Sequence, residues 1–295
     1  MSDVLPELPF TLPSMLQEAT RIESYRSLYL FYLEQFPQTW FLIFHHGKAN
    51  EVGQDVLNEL EQLNTELAGP NSPQCLISLS VRKSRSGKDI FIAGANVTER
   101  SDWDNERVKA HVRRQRKILQ DLRHAPLFHI CLINGLALGW GTEFLITADY
   151  KLACDQAAFA LPETGLGILP GAGGTSELAT LIGPAHTLRL GMTGEQIKAD
   201  EALRIGLVQE RCTDIDEALA RALILARLVS KKSPTACAAF KRGLLGSLGQ
   251  DLSTRTEGEA LAYEKCVSSG EAAIGRRDFH LIKTGQSPQW GPKQV

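Results

Sequence analysis

Two glutamates stand where a side chain could meet a bound ligand. The first lies in Asn134-Gly135-Leu136-Ala137-Leu138-Gly139-Trp140-Gly141-Thr142-Glu143-Phe144-Leu145. There a buried strand enters a turn of small residues, and the pattern predicts a helix starting near Thr142. The unpaired N–H groups of such a turn, backed by the helix dipole, form an anion-binding place. A carboxylate in the first helical turn is within reach of whatever occupies those amides. The dipole favours a glutamate there in any case, so Glu143 taken alone reads first as structural. The second stretch is Leu161-Pro162-Glu163-Thr164-Gly165-Leu166-Gly167-Ile168-Leu169-Pro170-Gly171-Ala172-Gly173-Gly174-Thr175. Prolines and glycines this dense shape a loop whose backbone passes close to something, although a plain strand-to-helix connector is also built this way. A P-loop is excluded, because no lysine follows the glycines.

Other chemistry-bearing residues lack a supporting pattern. The seven histidines show no metal-ligand spacing such as H-E-x-x-H, and His45-His46 ends a strand. Ser80 and Ser176 have no nucleophile-elbow context, and Asp149 reads as structural. The six cysteines include no C-x-x-C pair, so neither a zinc site nor a disulfide framework is indicated. No metal is expected.

The elements that must position the two glutamates alternate between strand and helix. After an N-terminal extension of residues 1–26, Leu28–Leu33 and Trp40–Phe44 read as a β-hairpin around Phe36-Pro37-Gln38-Thr39. Val56, Leu60, Leu63 and Leu67 share one face of a helix that stops at Gly69-Pro70. Cys75–Val81 and Ile90–Ile92 are short strands, a basic helix runs to about Arg123, and His129–Ile133 is the next buried strand. Beyond residue 180 the pattern is helical, with breaks expected at Gly194, Gly206, Ser233-Pro234 and Gly243 to Gly249. The reading is α/β, with an active-site core over 27–200 and a helical region over 201–295.

A hydrophobic share of 43% and a charged share of 22% fit an ordinary globular chain. The formal net charge of −2 provides no global field toward nucleic acid or an anionic membrane. The basic run Arg107–Arg123, with Lys109, Arg113, Arg114, Arg116 and Lys117, reads first as a solvated helix face and second as a phosphate- or RNA-facing patch. The first residues lack a secretory pattern, no apolar run reaches the ~20 residues of a membrane span, and cysteine usage suits a reducing compartment. A cytoplasmic protein is expected.

Together the segments Asn134–Phe144, Phe159–Thr175 and Phe91–Thr98 resemble the enoyl-CoA hydratase (crotonase) family. Thr193-Gly194, Ala199-Asp200-Glu201-Ala202 and Gly206-Leu207-Val208 are similar to the helix after that family's active-site loop. The resemblance spans about residues 27–290. It implies a crotonase-like spiral of ββα units with a helical C-terminal trimerisation region. It also implies a homo-oligomer, either a trimer or a dimer of trimers; the charge balance and the lack of a long apolar run point away from a nucleic-acid or membrane partner.

By that resemblance, the backbone N–H groups of Ala95 and Trp140 would bind the thioester oxygen. Trp140 departs from the family's usual glycine, and its indole would narrow the acyl pocket, stack on substrate or pack into the core. Glu143 and Glu163 match the two glutamates of members that hydrate a double bond, with Glu143 activating water and Glu163 protonating the α-carbon. Lys48-Ala49-Asn50 resembles the loop that approaches the pantetheine and phosphates, and Ala93 with Ala95 would line the adenine and thioester path. Asn96 replaces the more usual aspartate. Phe279, Lys283 and Trp290 are similar to the C-terminal pattern, which would bring Lys283 to a phosphate. No cofactor is implied, since the CoA or acyl-carrier-protein thioester is the substrate. The implied reaction is hydration or dehydration of an enoyl/3-hydroxyacyl thioester. Isomerisation, thioester hydrolysis or decarboxylation on the same fold, and an RNA-binding relative, are the alternatives.

Overall fold

Alternation along the first strands sends large apolar residues to both faces of a sheet. Leu28, Leu30, Leu42 and Phe44 enter one core, while Tyr29, Phe31, Phe41 and Ile43 enter another. That is the outcome of period-2 geometry when both faces are covered. The computed structural model describes residues 8–294. Its strands are β1 (Thr20–Ser24), β2 (Leu28–Leu33), β3 (Phe36–Phe44), β4 (Cys75–Ser80), β5 (Arg82–Lys83), β6 (Asp89–Ile92), β7 (Phe128–Ile133), β8 (Leu136–Leu138), β9 (Tyr150–Cys154), β10 (Ala158–Ala160), β11 (Ile197–Lys198) and β12 (Glu210–Cys212). Seven of them form a sheet in the order β1-β2-β3-β4-β7-β9-β12, parallel from β3 onward. A second sheet has the order β11-β10-β8-β6-β5, with β6, β8 and β10 parallel.

The helices are α1 (Gln54–Leu67), α2 (Asn105–Arg123), α3 (Trp140–Leu145), α4 (Leu178–Thr193), α5 (Ala199–Arg204), α6 (Ile215–Ser230), α7 (Pro234–Ser247), α8 (Leu252–Ser268), α9 (Glu271–Arg277) and α10 (Phe279–Lys283). One face of the large sheet packs against α1, α2, α3 and the small sheet. The other face takes α6 through Ala218, Leu219, Ala222, Leu223 and Ala226, whose short side chains let the helix lie close. The α/β architecture with a helical C-terminal region is as expected. No described helix is long and apolar enough to cross a membrane.

Two local expectations are corrected. Within the segment assigned as an extension, Thr20–Ser24 adds an antiparallel edge strand to β2; residues 1–7 lie outside the described part. The break expected over Gly243 to Gly249 falls at the far end of that range: α7 runs through Gly243 to Ser247, and Gly249, with a φ of +76°, lies in the connection to α8. A Cβ on Gly243 would sit 3.3 Å from that of Ala262, so this glycine serves close packing of α7 on α8 rather than a turn.

Phe44 joins the large sheet to the helix that carries Glu143. Its ring meets Phe144 edge-on, with centroids 5.2 Å apart, and also contacts Phe91. Truncation by Phe44→Ala is expected to lower unfolding free energy by about 3–5 kcal/mol, read from chemical denaturation.

Candidate active site

Three parallel strands of the small sheet end side by side. Ala137 pairs with Ile92 of β6 and with Phe159 of β10, so the chain leaves all three strands at one level. The connections are Ala93-Gly94-Ala95 after β6, Gly139-Trp140 after β8, and Leu161-Pro162-Glu163 after β10. In open α/β sheets ligands bind beyond the carboxyl ends of strands. Here those ends enclose a cavity of about 200 Å³, walled by Ala93, Ala95, Trp140, Glu143 and Glu163 among others. Five of the residues singled out from the sequence therefore meet at one place.

Two backbone N–H groups at this level have no acceptor among the described residues. Val52 donates to Gly94 O and accepts from Asn96 N, each at 2.9 Å, in a parallel bridge centred on Ala95. That pattern directs the N–H of Ala95 away from Val52. Trp140 is the first residue of α3, so its N–H has no intrahelical partner. Gly139 makes the turn into that helix possible. Its φ is +51°, and a Cβ there would lie 2.5 Å from Glu163 Oε1.

The two carboxyls sit in contrasting surroundings. Glu143 is 3% exposed, and its Oε1 accepts from the N–H groups of Ala172 and Gly174 at 2.7 and 2.9 Å. Both donors belong to the Pro/Gly loop, which Arg116 tethers through Gly171 O at 2.8 Å. Burial raises the Glu143 pKa, while the two N–H donors and the nearby Arg116 charge oppose that rise. Glu163 opens a single 3-10 turn, and its buried Oε2 has no donor among the described residues. Its pKa is pushed up to about 7, chiefly by burial and further by the charge of Glu143, with a backbone hydrogen bond opposing. Two carboxyls sharing a small site do not ionise together readily. The first negative charge settles on Glu143, where donors await it, and the proton stays on Glu163. Such a pair offers a base and an acid at one pH.

The remaining predicted residues lie outside the cavity wall. Lys48 is exposed, and its carbonyl accepts from Arg82 Nε at 3.1 Å. Ala49 O accepts from Ala93 N at 3.0 Å, which ties this loop to the site. Lys283 is exposed on α10, with Nζ 5.8 Å from the centre of the Phe279 ring. The indole of Trp140 is 2% exposed, packs on Phe144 and joins the core while still forming cavity wall.

Sequence reasoning missed Arg100 and Gln115, and took Asn50 only as part of the Lys48-Ala49-Asn50 loop, without its anchoring role. Asn50 has a φ of +54°, accepts from His46 N through Oδ1, and donates to Ser80 Oγ and Phe91 O. It thereby anchors the 48–50 loop to β4 and β6; an asparagine in a short loop was the only available signal. Arg100 and Gln115 belong to the cavity wall. Much of the basic run is engaged within the chain: Arg114 binds Glu61, Gln54 and Asn58, Lys117 binds Asp121, and Arg123 binds Glu177. Among the described residues no group of His, Cys, Asp or Glu could hold a metal ion.

Several known proteins are similar to this chain along most of its length. A family model described as enoyl-CoA hydratase/isomerase matches residues 84–290. The short-chain-enoyl-CoA hydratase of Clostridium acetobutylicum is 30% identical over 220 residues, 75% of this chain and 82% of that protein. The crotonyl-CoA hydratase of Syntrophomonas wolfei is 29% identical over 248 residues, 84% and 93% of the two chains. The crystal structure of enoyl-CoA hydratase from Bacillus anthracis superposes with a TM-score of 0.78 at 27% identity, covering 93% of this chain and 99% of that one.

The Glu163 proton has a consequence for stability. An unfolded glutamate releases its proton near pH 4.5, whereas the folded carboxyl holds it to about 7. Between these values the native state binds more protons, so this group's contribution is full below about pH 4.5 and is lost as pH rises through 7. Glu163→Gln should therefore raise the melting temperature more at pH 8 than at pH 5. Thermal unfolding at the two pH values checks this; an equal shift at both would contradict it.

Proposed function

The chain belongs to the enoyl-CoA hydratase/isomerase family, and on that premise we propose that it adds water across the double bond of an enoyl thioester, or removes water from the 3-hydroxyacyl product. The observation that carries this reading is the asymmetric pair of carboxyls, Glu143 bonded to two amides and Glu163 lacking a donor on Oε2. Water addition needs a base and an acid together, whereas a proton shift along the acyl chain can use one carboxyl alone.

In the proposed reaction the thioester oxygen takes the N–H groups of Ala95 and Trp140. These donors stabilise the enolate that forms as the nucleophile adds. Loss of one such donor typically costs a factor of about 10²–10³ in rate. Glu143 accepts a proton from water while the water oxygen bonds to the β-carbon. Glu163 delivers its proton to the α-carbon as the enolate collapses. The C=C π bond, one O–H bond of water and the O–H bond of Glu163 break, while one C–O bond, one C–H bond and an O–H bond on Glu143 form. The two glutamates together still hold one proton, which returns to Glu163 before the next turnover. Dehydration follows the same path backward. Lys48 and Ala49 would flank the carrier near Ala93, and Lys283 would meet a phosphate across an assembled oligomer.

An oligomer is supported by the apolar faces of α7 and α8. Phe240 is 74% and Tyr263 72% exposed, and both border a surface groove with Leu244 and Leu252. Soluble monomers seldom leave such patches open. Light scattering is expected to give three or six chains per particle, and Phe240→Asp should lower that number; a monomeric native protein would contradict the assembly.

The reaction is tested with crotonyl-CoA by following loss of the conjugated thioester absorbance. Each of Glu143→Gln and Glu163→Gln is expected to reduce kcat by about 10²–10⁴-fold with the fold intact. In the native protein kcat/KM should decline above about pH 7, as Glu163 loses its proton. Full activity in either variant would exclude the two-carboxylate mechanism.

A further inference from the structure

Glu143 borders two cavities rather than one. The first, of about 200 Å³, is the cavity between the strand ends, where the acyl group would lie. The second, of about 50 Å³, lies between the C-terminal half of α2 and the Pro/Gly loop. Glu143 and Ala172 stand in the walls of both. In the second cavity Glu143, Ala172 and Gly173 are buried, while Gln120, His124 and Ser176 are exposed. This cavity therefore joins solvent to the carboxyl by a path that avoids the acyl group. The ion pair between Arg123 and Glu177, 3.2 Å long, belongs to the same wall. Such a space has room for one or a few water molecules, and its amide, imidazole, hydroxyl and ion pair supply the polar partners that buried water needs.

On the reading of Glu143 as a hydratase base, we infer that this second cavity is a port through which Glu143 exchanges water and protons with solvent while the acyl thioester fills the first. Glu143 is only 3% exposed, so an acyl group in the first cavity leaves it no water on that side. Its Oε1 is taken by the N–H groups of Ala172 and Gly174. Its Oε2 makes no hydrogen bond among the described residues and is not one of their sealed-in, unpaired oxygens, so it stays open to water. Arg116 borders the second cavity too, and its charge acts on the same carboxyl. In dehydration Glu143 passes its proton to the 3-hydroxyl as the C–O bond breaks, and Glu163 takes the α-proton. The water so formed lies beside a bound enoyl ester. It either adds back or leaves, and the second cavity is its exit.

Isotope washout tests the route. 3-Hydroxybutyryl-CoA with a heavy-oxygen label on its hydroxyl is incubated in ordinary water. Mass spectrometry then compares label-free hydroxyacyl ester with released crotonyl-CoA early in the reaction. Gln120→Trp and Ser176→Phe, which fill the outer end of the port, should cut that ratio several-fold while butyryl-CoA affinity stays within a few-fold. The same ratio in the native protein and both variants would overturn the inference. A crystal structure with butyryl-CoA bound gives a readout free of turnover. Water in the second cavity, within hydrogen-bond reach of Glu143, is expected there, and a dry cavity would overturn the port. Water at that place without turnover of the hydroxyacyl ester would remove the hydratase reading and keep the port. Turnover with unchanged washout in both variants would do the reverse.

Discussion

Two carboxyls enclosed in one small cavity cannot both be ionised without an ample supply of donors, and the site is arranged around that constraint. Glu143 receives two backbone N–H groups and the field of Arg116. Glu163 receives no donor on Oε2 and feels the charge of its neighbour. In the proposed reaction, the difference between base and acid is thus made largely by backbone. Gly174 must be small as well as a donor, because a Cβ there would press on Pro170 and lie 3.2 Å from Glu143 Oε1. Gly139 is held to glycine by its φ and by the Glu163 carboxylate.

The rest of the fold holds these parts in register. Parallel pairing of β6, β8 and β10 delivers three loops to one level, and the larger sheet supports them from beneath through Phe44, Phe91 and Phe144. The bridge at Val52 fastens the Ala95 loop to the start of α1. Gly141 permits α3 to lie directly on β6, where a Cβ would strike the Ile92 carbonyl. Trp140 and Glu143 therefore project from a helix packed in the main core, and Glu163 from the turn that directly follows the buried strand end at Phe159 and Leu161. Such support keeps amides oriented before substrate arrives, which is how backbone donors contribute to a barrier.

Legibility from sequence followed the range of the interactions. Strands β2, β3, β4 and β7 and helices α1 and α2 were readable from local periodicity, and the Gly- and Pro-rich segments marked both glutamates. The start of α3 at Trp140 rather than near Thr142 was not readable, since the strand before it and the turn share small apolar residues. Gly243 looked like a break, yet its role is set by Ala262 on another helix. Arg100 and Gln115 were hidden for the same reason. Each sits in a polar stretch that reads as solvated, and only the closure of the 3-10 turn and α2 over the cavity buries their donors. The Trp140 indole joins two of its expected destinations, being core and cavity wall together.

The most direct test of this account is infrared difference spectroscopy of the carboxyl groups, comparing the native protein with Glu163→Gln across pH. The account predicts one protonated carboxyl band at pH 6 that is lost through about pH 7 and is missing from the variant. A spectrum showing Glu163 already ionised at pH 5.5 would contradict the division of the pair into acid and base.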